Sequence, residues 1–161
     1  MPSIKKTSVE IDKRFTMAVT GHREIKEKIS VEALTLIFEG AIYSGYDTFL
    51  IGMAVGFDTL CFKVLTEIRK SKNIRIIACI PCEKQDLKFS EFQKREYAKM
   101  LELADEKIVL SKEYTPYCMM NRNRFMVDNC SQLLAYVREK KGGTKSTVEY
   151  AERKGVFIRY I

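Results

Sequence analysis

Two patterns of apolar and polar positions alternate along this chain. Short continuous apolar runs, such as Ile74 to Ile80, are typical of strands buried on both faces of a sheet. Between them lie longer segments with apolar residues three or four positions apart, which is typical of helices with one face against a core. The pattern predicts strands near residues 15–20, 47–52, 74–80, 106–110, 132–137 and 156–160, and helices near residues 31–45, 57–71, 87–103, 118–130 and 144–154.

Alternating strands and helices predict an α/β fold with a doubly wound, mostly parallel sheet of about six strands, covered by helices on both faces. The 161 residues suffice for one domain with a sizeable core. We therefore expect a single domain over residues 15–161 and an N-terminal tail or edge segment over residues 1–14. No apolar run approaches the roughly 20 residues of a membrane span, and residues 1–14 resemble no secretory signal. A cytoplasmic protein without a membrane partner is expected.

Three glycine-bearing loops each follow a predicted strand and precede a predicted helix. They lie at residues 20–23, 52–58 and 142–144. In a parallel sheet such loops gather at the carboxyl ends of the strands, where ligands bind. A helix start offers unpaired N–H groups and the positive end of the helix dipole, so the last loop suits a phosphate. A tight turn before an ordinary capped helix is the alternative interpretation of that loop.

The predicted helix over residues 118–130 carries an arginine on its apolar face. Arg122 lies three residues after Met119 and four before Met126, so the three share one face. An arginine on a buried face needs a partner. A structural carboxylate such as Asp128 and a bound phosphate or substrate are both open at this point.

Composition limits the remaining chemistry. His22 is the only histidine, so no histidine-based metal cluster is expected and no metal site is predicted. The five cysteines lie in or beside apolar segments, which favours reduced core thiols, and this also applies to the C-x-x-C pair Cys79 and Cys82. The chain carries 28 lysines and arginines against 21 acidic residues, a net charge of +7. That excess is compatible with nucleic acid or phosphorylated metabolites as partners.

Four segments together resemble the YpsA-like branch of the SLOG superfamily. They are Thr20-Gly21-His22-Arg23, Gly52-Met53-Ala54-x-Gly56-x-Asp58, Arg122-Asn123 and Gly142-Gly143-Thr144. This Rossmann-like group also holds the LOG phosphoribohydrolases and the DNA-processing protein A family. The resemblance implies a Rossmann-like three-layer sandwich. It also implies a nucleotide or nucleotide-derived ligand, such as ADP-ribose or a relative of NAD.

A more distant similarity to LOG enzymes suggests a reaction. Their M-x-x-R-K-x-x-M motif corresponds to Met119–Met126, and their P-G-G-x-G-T-x-x-E motif corresponds to Lys141–Glu149. The resemblance carries the catalytic arginine onto Arg122 and the catalytic glutamate onto Glu149. Asn123 here stands for a lysine, and the second motif departs from the pattern at positions 141, 145 and 146.

Binding without turnover requires fewer of these features than hydrolysis does, so a nucleotide-binding sensor or regulator ranks first. A LOG-like N-glycosidic hydrolase ranks second, with Glu149 and Arg122 as the catalytic residues. A single-stranded nucleic-acid binder ranks third. A homo-oligomer is compatible with the sequence, and no cofactor is predicted beyond a nucleotide or NAD-derived ligand. The predicted ligand contacts are Thr20, Gly21, His22, Arg23, Gly52, Met53, Ala54, Gly56, Asp58, Arg122, Asn123, Gly142, Gly143, Thr144 and Ser146.

Overall fold

The computed structural model describes residues 9–161. Strands and helices alternate through this range after a short 3-10 turn, Lys13–Phe15. The strands are β1 Thr16–Gly21, β2 Thr48–Ile51, β3 Arg75–Ile80, β4 Glu106–Val109, β5 Gln132–Tyr136 and β6 Phe157–Tyr160. The helices are α1 Val31–Tyr43, α2 Phe57–Arg69, α3 Glu91–Leu103, α4 Cys118–Asp128 and α5 Gly143–Arg153.

All six strands pair in parallel, in the order β4-β3-β2-β1-β5-β6. Winding proceeds outward from β1 to β4 and then returns to the other side of β1 with β5 and β6. The winding direction therefore reverses between β1 and β5, where Val19 is in register with Leu134. Such a reversal opens a crevice at the carboxyl ends of the two strands. The predicted Rossmann-like fold is confirmed.

Two hydrophobic cores lie on the two faces of the sheet. Met17 and Val19 of β1 point into the core shared with α1, α2 and α3. Ala18 points to the opposite face, into the core shared with α4 and α5. This alternation follows from the two-residue period of a strand. All five cysteines are buried free thiols, Cys79 and Cys82 included.

The predicted helices match the structure closely except at the start of α3. That helix begins at Glu91 rather than near residue 87. Ser90 accepts a hydrogen bond from the Gln93 backbone, and the Gln93 side chain accepts one from the Ser90 backbone, which fixes the start as a capping box. Among the helices of residues 9–161, none is long and apolar enough to cross a membrane.

The predicted N-terminal tail, residues 1–14, falls partly outside the described residues, which begin at Val9. Val9 and Ile11 pack against the core of the α4–α5 face. The backbone oxygen of Glu10 accepts a hydrogen bond of 2.7 Å from Arg75. Residues 9–12 therefore lie against the body of the domain, at the end of the sheet where the strands begin.

Candidate functional site

A cleft of about 300 Å³ opens at the carboxyl ends of β1, β2 and β5. It coincides with the point where the winding of the sheet reverses, which is the expected ligand position in open α/β sheets. Its walls come from all three glycine loops and from one face of α4. The lining residues are Val19, Thr20, Gly21, His22, Arg23, Ala54, Asp58, Met119, Arg122, Asn123, Met126, Gly143 and Thr144.

The start of α5 forms the wall most suited to an anion. Gly142 precedes the helix with φ of +111°, a conformation that side chains disfavour, and no side chain caps the helix. The Thr147 hydroxyl donates to the Gly143 carbonyl instead. A Cβ on Gly142 or Gly143 would meet no atom of residues 9–161 within 4 Å. Gly143 and Thr144 at the start of α5 line the cleft, where the helix dipole favours negative charge, whereas the predicted contact Gly142 is outside its lining.

The loop after β1 also lines the cleft, and His22 holds this loop in place. The His22 carbonyl accepts from the Phe57 N–H at 3.1 Å. Its Nε2 accepts from the Arg138 N–H at 2.7 Å, and the ring lies edge-on against Tyr136. Because Nε2 is occupied by this contact, His22 acts mainly as an anchor of the loop. Arg23 is exposed and lines the cleft, so its positive charge is available to a ligand.

The loop after β2 contributes less to the cleft than its glycines suggested. A Cβ on Gly56 would lie 2.3 Å from the Arg23 carbonyl oxygen, and one on Gly52 would lie 2.8 Å from the Arg122 guanidinium carbon. Both glycines therefore permit close packing inside the protein, and neither lines the cleft. Met53 is buried and lines an apolar pocket between α2 and α3. From this loop and the start of α2, only Ala54 and Asp58 reach the cleft.

Arg122 is 4% exposed and lines the cleft, but its guanidinium is engaged by the protein. Nη1 donates to the carbonyls of Gly52 and Cys79, and Nε donates to the Asn123 side chain at 2.8 Å. The prediction of Asp128 as a structural partner of Arg122 is wrong, because Asp128 is exposed and accepts a hydrogen bond from the Tyr150 hydroxyl. Arg122 thus ties α4 to the ends of β2 and β3, and its role as a ligand contact stays a prediction.

Asp58 is the buried carboxylate of the cleft, 6% exposed. It lies in the first turn of α2, where the helix dipole favours an acid. Its Oδ2 accepts from the Ala54 N–H at 3.1 Å. Burial raises the pKa of Asp58 to about 6, although the charges of Arg122 and Arg23 and the Ala54 hydrogen bond oppose that rise. Burial also lowers the pKa of Arg122, and the Asp58 charge opposes that change.

The predicted residues Ser146 and Glu149 lie in a second concavity, a groove of about 410 Å³ between α4 and α5. The groove shares Met119, Asn123 and Gly143 with the cleft, so the two are continuous. Glu149 is exposed there, whereas Arg122 lines only the cleft. The two residues proposed for catalysis therefore lie in different chambers.

Basic side chains surround one aromatic ring of this groove. Arg124 lies 5.1 Å from the centroid of Tyr150, Lys154 lies 5.5 Å from it and Arg153 lies 5.8 Å from it. Each distance is within the range of a cation–π contact. The groove therefore combines positive charge with an aromatic side chain.

Two features of the site were missed from the sequence. Gln85 is buried in the loop after β3 and donates to the Gly52 carbonyl at 3.0 Å; nothing in its local sequence indicated this. Arg138 follows β5, donates to Glu27 at 2.5 Å and lies 4.4 Å from the Tyr136 ring centroid. Its position just after a predicted strand was a usable signal, because the ends of these strands meet at the cleft.

The family model YpsA, described as "YspA SLOG family", matches residues 12–161. The chain belongs to this SLOG family. A similar curated relative is the uncharacterized SPbeta prophage-derived protein YoqJ of Bacillus subtilis strain 168. It is 29% identical over 139 residues, which cover 78% of this chain and 81% of YoqJ.

Two solved structures of DNA processing protein A share the fold of this SLOG protein. The one from Streptococcus pneumoniae superposes with a TM-score of 0.67 at 19% identity and covers 90% of this chain. The one from Helicobacter pylori, described for its single-stranded DNA binding mode, gives 0.65 at 13% identity and covers 91% of this chain. The chain spans 49% and 64% of those two proteins. At these low identities the likeness concerns the fold alone.

Proposed function

We propose that this protein binds a nucleotide or nucleotide derivative, such as ADP-ribose or an NAD-related molecule, in the cleft between β1 and β5. One observation carries the proposal: the start of α5, which no side chain of residues 9–161 caps, lines the cleft at Gly143 and Thr144 together with Arg23. N–H groups at a helix start and a free arginine are donors suited to a phosphate.

The dimensions of the site also support a nucleotide. The cleft alone, at about 300 Å³, is at the small end of the range for ligand pockets. The adjoining groove adds space of about 410 Å³ beyond Gly143 and Met119. The cleft and the groove together thus offer space for the phosphate, sugar and base of a nucleotide.

A role as a ligand sensor or regulator fits these residues better than hydrolysis. Cleavage of an N-glycosidic bond passes through an oxocarbenium-like state that a nearby carboxylate stabilises. Glu149 lies in the groove, away from Arg122, and Arg122 is already bound to two backbone carbonyls. Binding, unlike hydrolysis, does not require Glu149 and Arg122 to lie close together.

A charge-inserting pair of variants tests the proposal. Gly143→Glu adds a carboxylate at the α5 start, where there is space and where the helix dipole favours an acid, so the fold is preserved. Gly40→Glu adds the same charge on the exposed face of α1, also into open space. ADP-ribose at 100 times its dissociation constant should stabilise the wild type and Gly40→Glu by about 2.7 kcal/mol. Gly143→Glu should lose this stabilisation, and equal stabilisation of all three proteins would contradict the proposal.

Single-stranded DNA is a second candidate ligand, favoured by the groove around Tyr150. Strand binders combine a basic path with aromatic platforms, and the structural relative from H. pylori is described with single-stranded DNA. Arg124→Ala should weaken binding of an oligothymidylate. Arg14→Ala is the matched control, because Arg14 lies 5.2 Å from the Phe15 ring at the other end of the sheet. Several phosphate contacts would give a steep salt dependence, about 0.7 per contact in the logarithmic slope; a flat slope would exclude this candidate.

A further inference from the structure

One oxygen of the Asp58 carboxylate has no partner within the described part of the chain. Oδ2 accepts from the Ala54 N–H, while no donor reaches Oδ1. No side-chain oxygen that is fully buried lacks a partner among residues 9–161. Oδ1 is therefore open to the cleft that Asp58 lines, although the residue as a whole is 94% buried. A carboxylate oxygen that is accessible from a cleft is an acceptor for a donor group of a ligand.

The charged neighbours of Asp58 do not donate a hydrogen bond to Oδ1 either. A Cβ on Gly52 would lie 2.8 Å from the Arg122 Cζ and 3.0 Å from the Asp58 Oδ2, so the two charged groups converge above this glycine. The Arg122 donors nevertheless go to Gly52, Cys79, Asn123 and the Met119 sulfur. Arg23 is exposed and acts on Asp58 through its charge.

The lining of the cleft consequently combines two kinds of group with opposite preferences. The α5 start and Arg23 favour an anion, whereas the Asp58 carboxylate repels a phosphate and accepts hydrogen bonds from neutral donors. A bare phosphate or pyrophosphate satisfies only the first kind of group. A phosphorylated sugar with free hydroxyls satisfies both.

We propose that Asp58 accepts a hydrogen bond from a sugar hydroxyl of the ligand, so that the cleft selects ribose phosphates with free hydroxyls. The inference rests on the proposed nucleotide binding and names the part of the ligand that is recognised. Asp58 is then a specificity-determining residue. A purely structural Asp58, which caps the loop through Ala54, would use only the oxygen that is already bonded.

Paired ligands and paired variants test this assignment. AMP and 2′,3′-dideoxy-AMP differ only in the ribose hydroxyls, and calorimetric titration of each into the wild type measures their contribution. A hydrogen bond to a charged group predicts binding of AMP that is tighter by roughly 10-fold to 100-fold. Asp58→Asn should lower the affinity for AMP by a similar factor and leave that for dideoxy-AMP nearly unchanged. Asp128→Asn, an exposed aspartate on α4, should behave as the wild type.

Each outcome has a defined meaning. Equal wild-type affinity for the two ligands overturns the inference and leaves the proposed function standing, and this arm needs no variant to fold. Equal losses of affinity for both ligands in Asp58→Asn would also overturn the inference, because a structural defect affects the whole cleft. Failure of the wild type to bind either ligand or ADP-ribose at millimolar concentration would remove the proposed function together with the inference.

Discussion

The buried carboxyl of Asp58 should make the stability of this protein depend on pH in an unusual direction. Its pKa is raised from 3.8 to about 6 by burial. A folded-state pKa above the unfolded one means that the folded chain holds the proton more tightly. The contribution of Asp58 to stability is therefore fully present below about pH 4 and is lost as the pH rises through about 6. Two pKa units correspond to about 3 kcal/mol.

Asp58→Asn removes this titration, because asparagine has no proton to lose. In urea unfolding between about pH 4 and pH 8, the free energy of unfolding of the variant should rise relative to that of the wild type by about 3 kcal/mol as the pH rises. The exposed-site variant Asp128→Asn should follow the wild type across the range. Parallel curves for Asp58→Asn and the wild type would refute the reasoning, since they would mean that Arg122 and Arg23 compensate the burial completely.

Three further predictions concern residues of the site. Arg122→Met should lower the free energy of unfolding by about 3–5 kcal/mol, because it removes the charge that opposes the burial of Asp58 and one donor from each of the Gly52 and Cys79 carbonyls; the exposed Arg124→Met should change it little, and equal effects in urea unfolding would contradict this role. Gly142→Ala should cost about 1–3 kcal/mol through its φ of +111°, whereas Gly143→Ala should cost almost nothing in thermal unfolding; equal costs would show that the α5 start is not strained. Chromatography after long incubation with AMP should detect no base release above the uncatalysed rate by wild type or Glu149→Gln; release that the variant abolishes would favour hydrolysis.

The fold was predictable because its signals are local and repeated. Continuous apolar runs such as Ile76–Ile80 identify strands that are covered on both faces. The position of the cleft was also predictable in outline, since loops after parallel strands meet at one edge of the sheet. The start of α3 was missed by a few residues because the capping pair Ser90 and Gln93 outweighs the apolar residues Leu87 and Phe89 before it.

The roles of individual site residues were less predictable, because they depend on which groups approach each other across the fold. Gly52 and Gly142 look alike in sequence, yet one is covered by the Arg122 guanidinium and the other faces open space. The hydrogen bonds of Arg122 to Gly52 and Cys79 span 70 and 43 positions, so no local pattern reveals them. Asp58 was identified as a candidate from the sequence. That its Oδ1 accepts no hydrogen bond from residues 9–161 became apparent only from the structure.

The most direct test of nucleotide binding is a two-dimensional ¹⁵N–¹H NMR titration of the whole chain with ADP-ribose. The account predicts that the amide signals of Gly143 and Thr144 shift most, together with those of Arg23 and Ala54, because these residues line the cleft around the bound phosphate. The shifts should saturate and should be absent in Gly143→Glu. Signals in the cleft that stay unchanged at millimolar ADP-ribose, or shifts confined to the groove around Tyr150, would contradict the claim that the cleft between β1 and β5 holds the ligand.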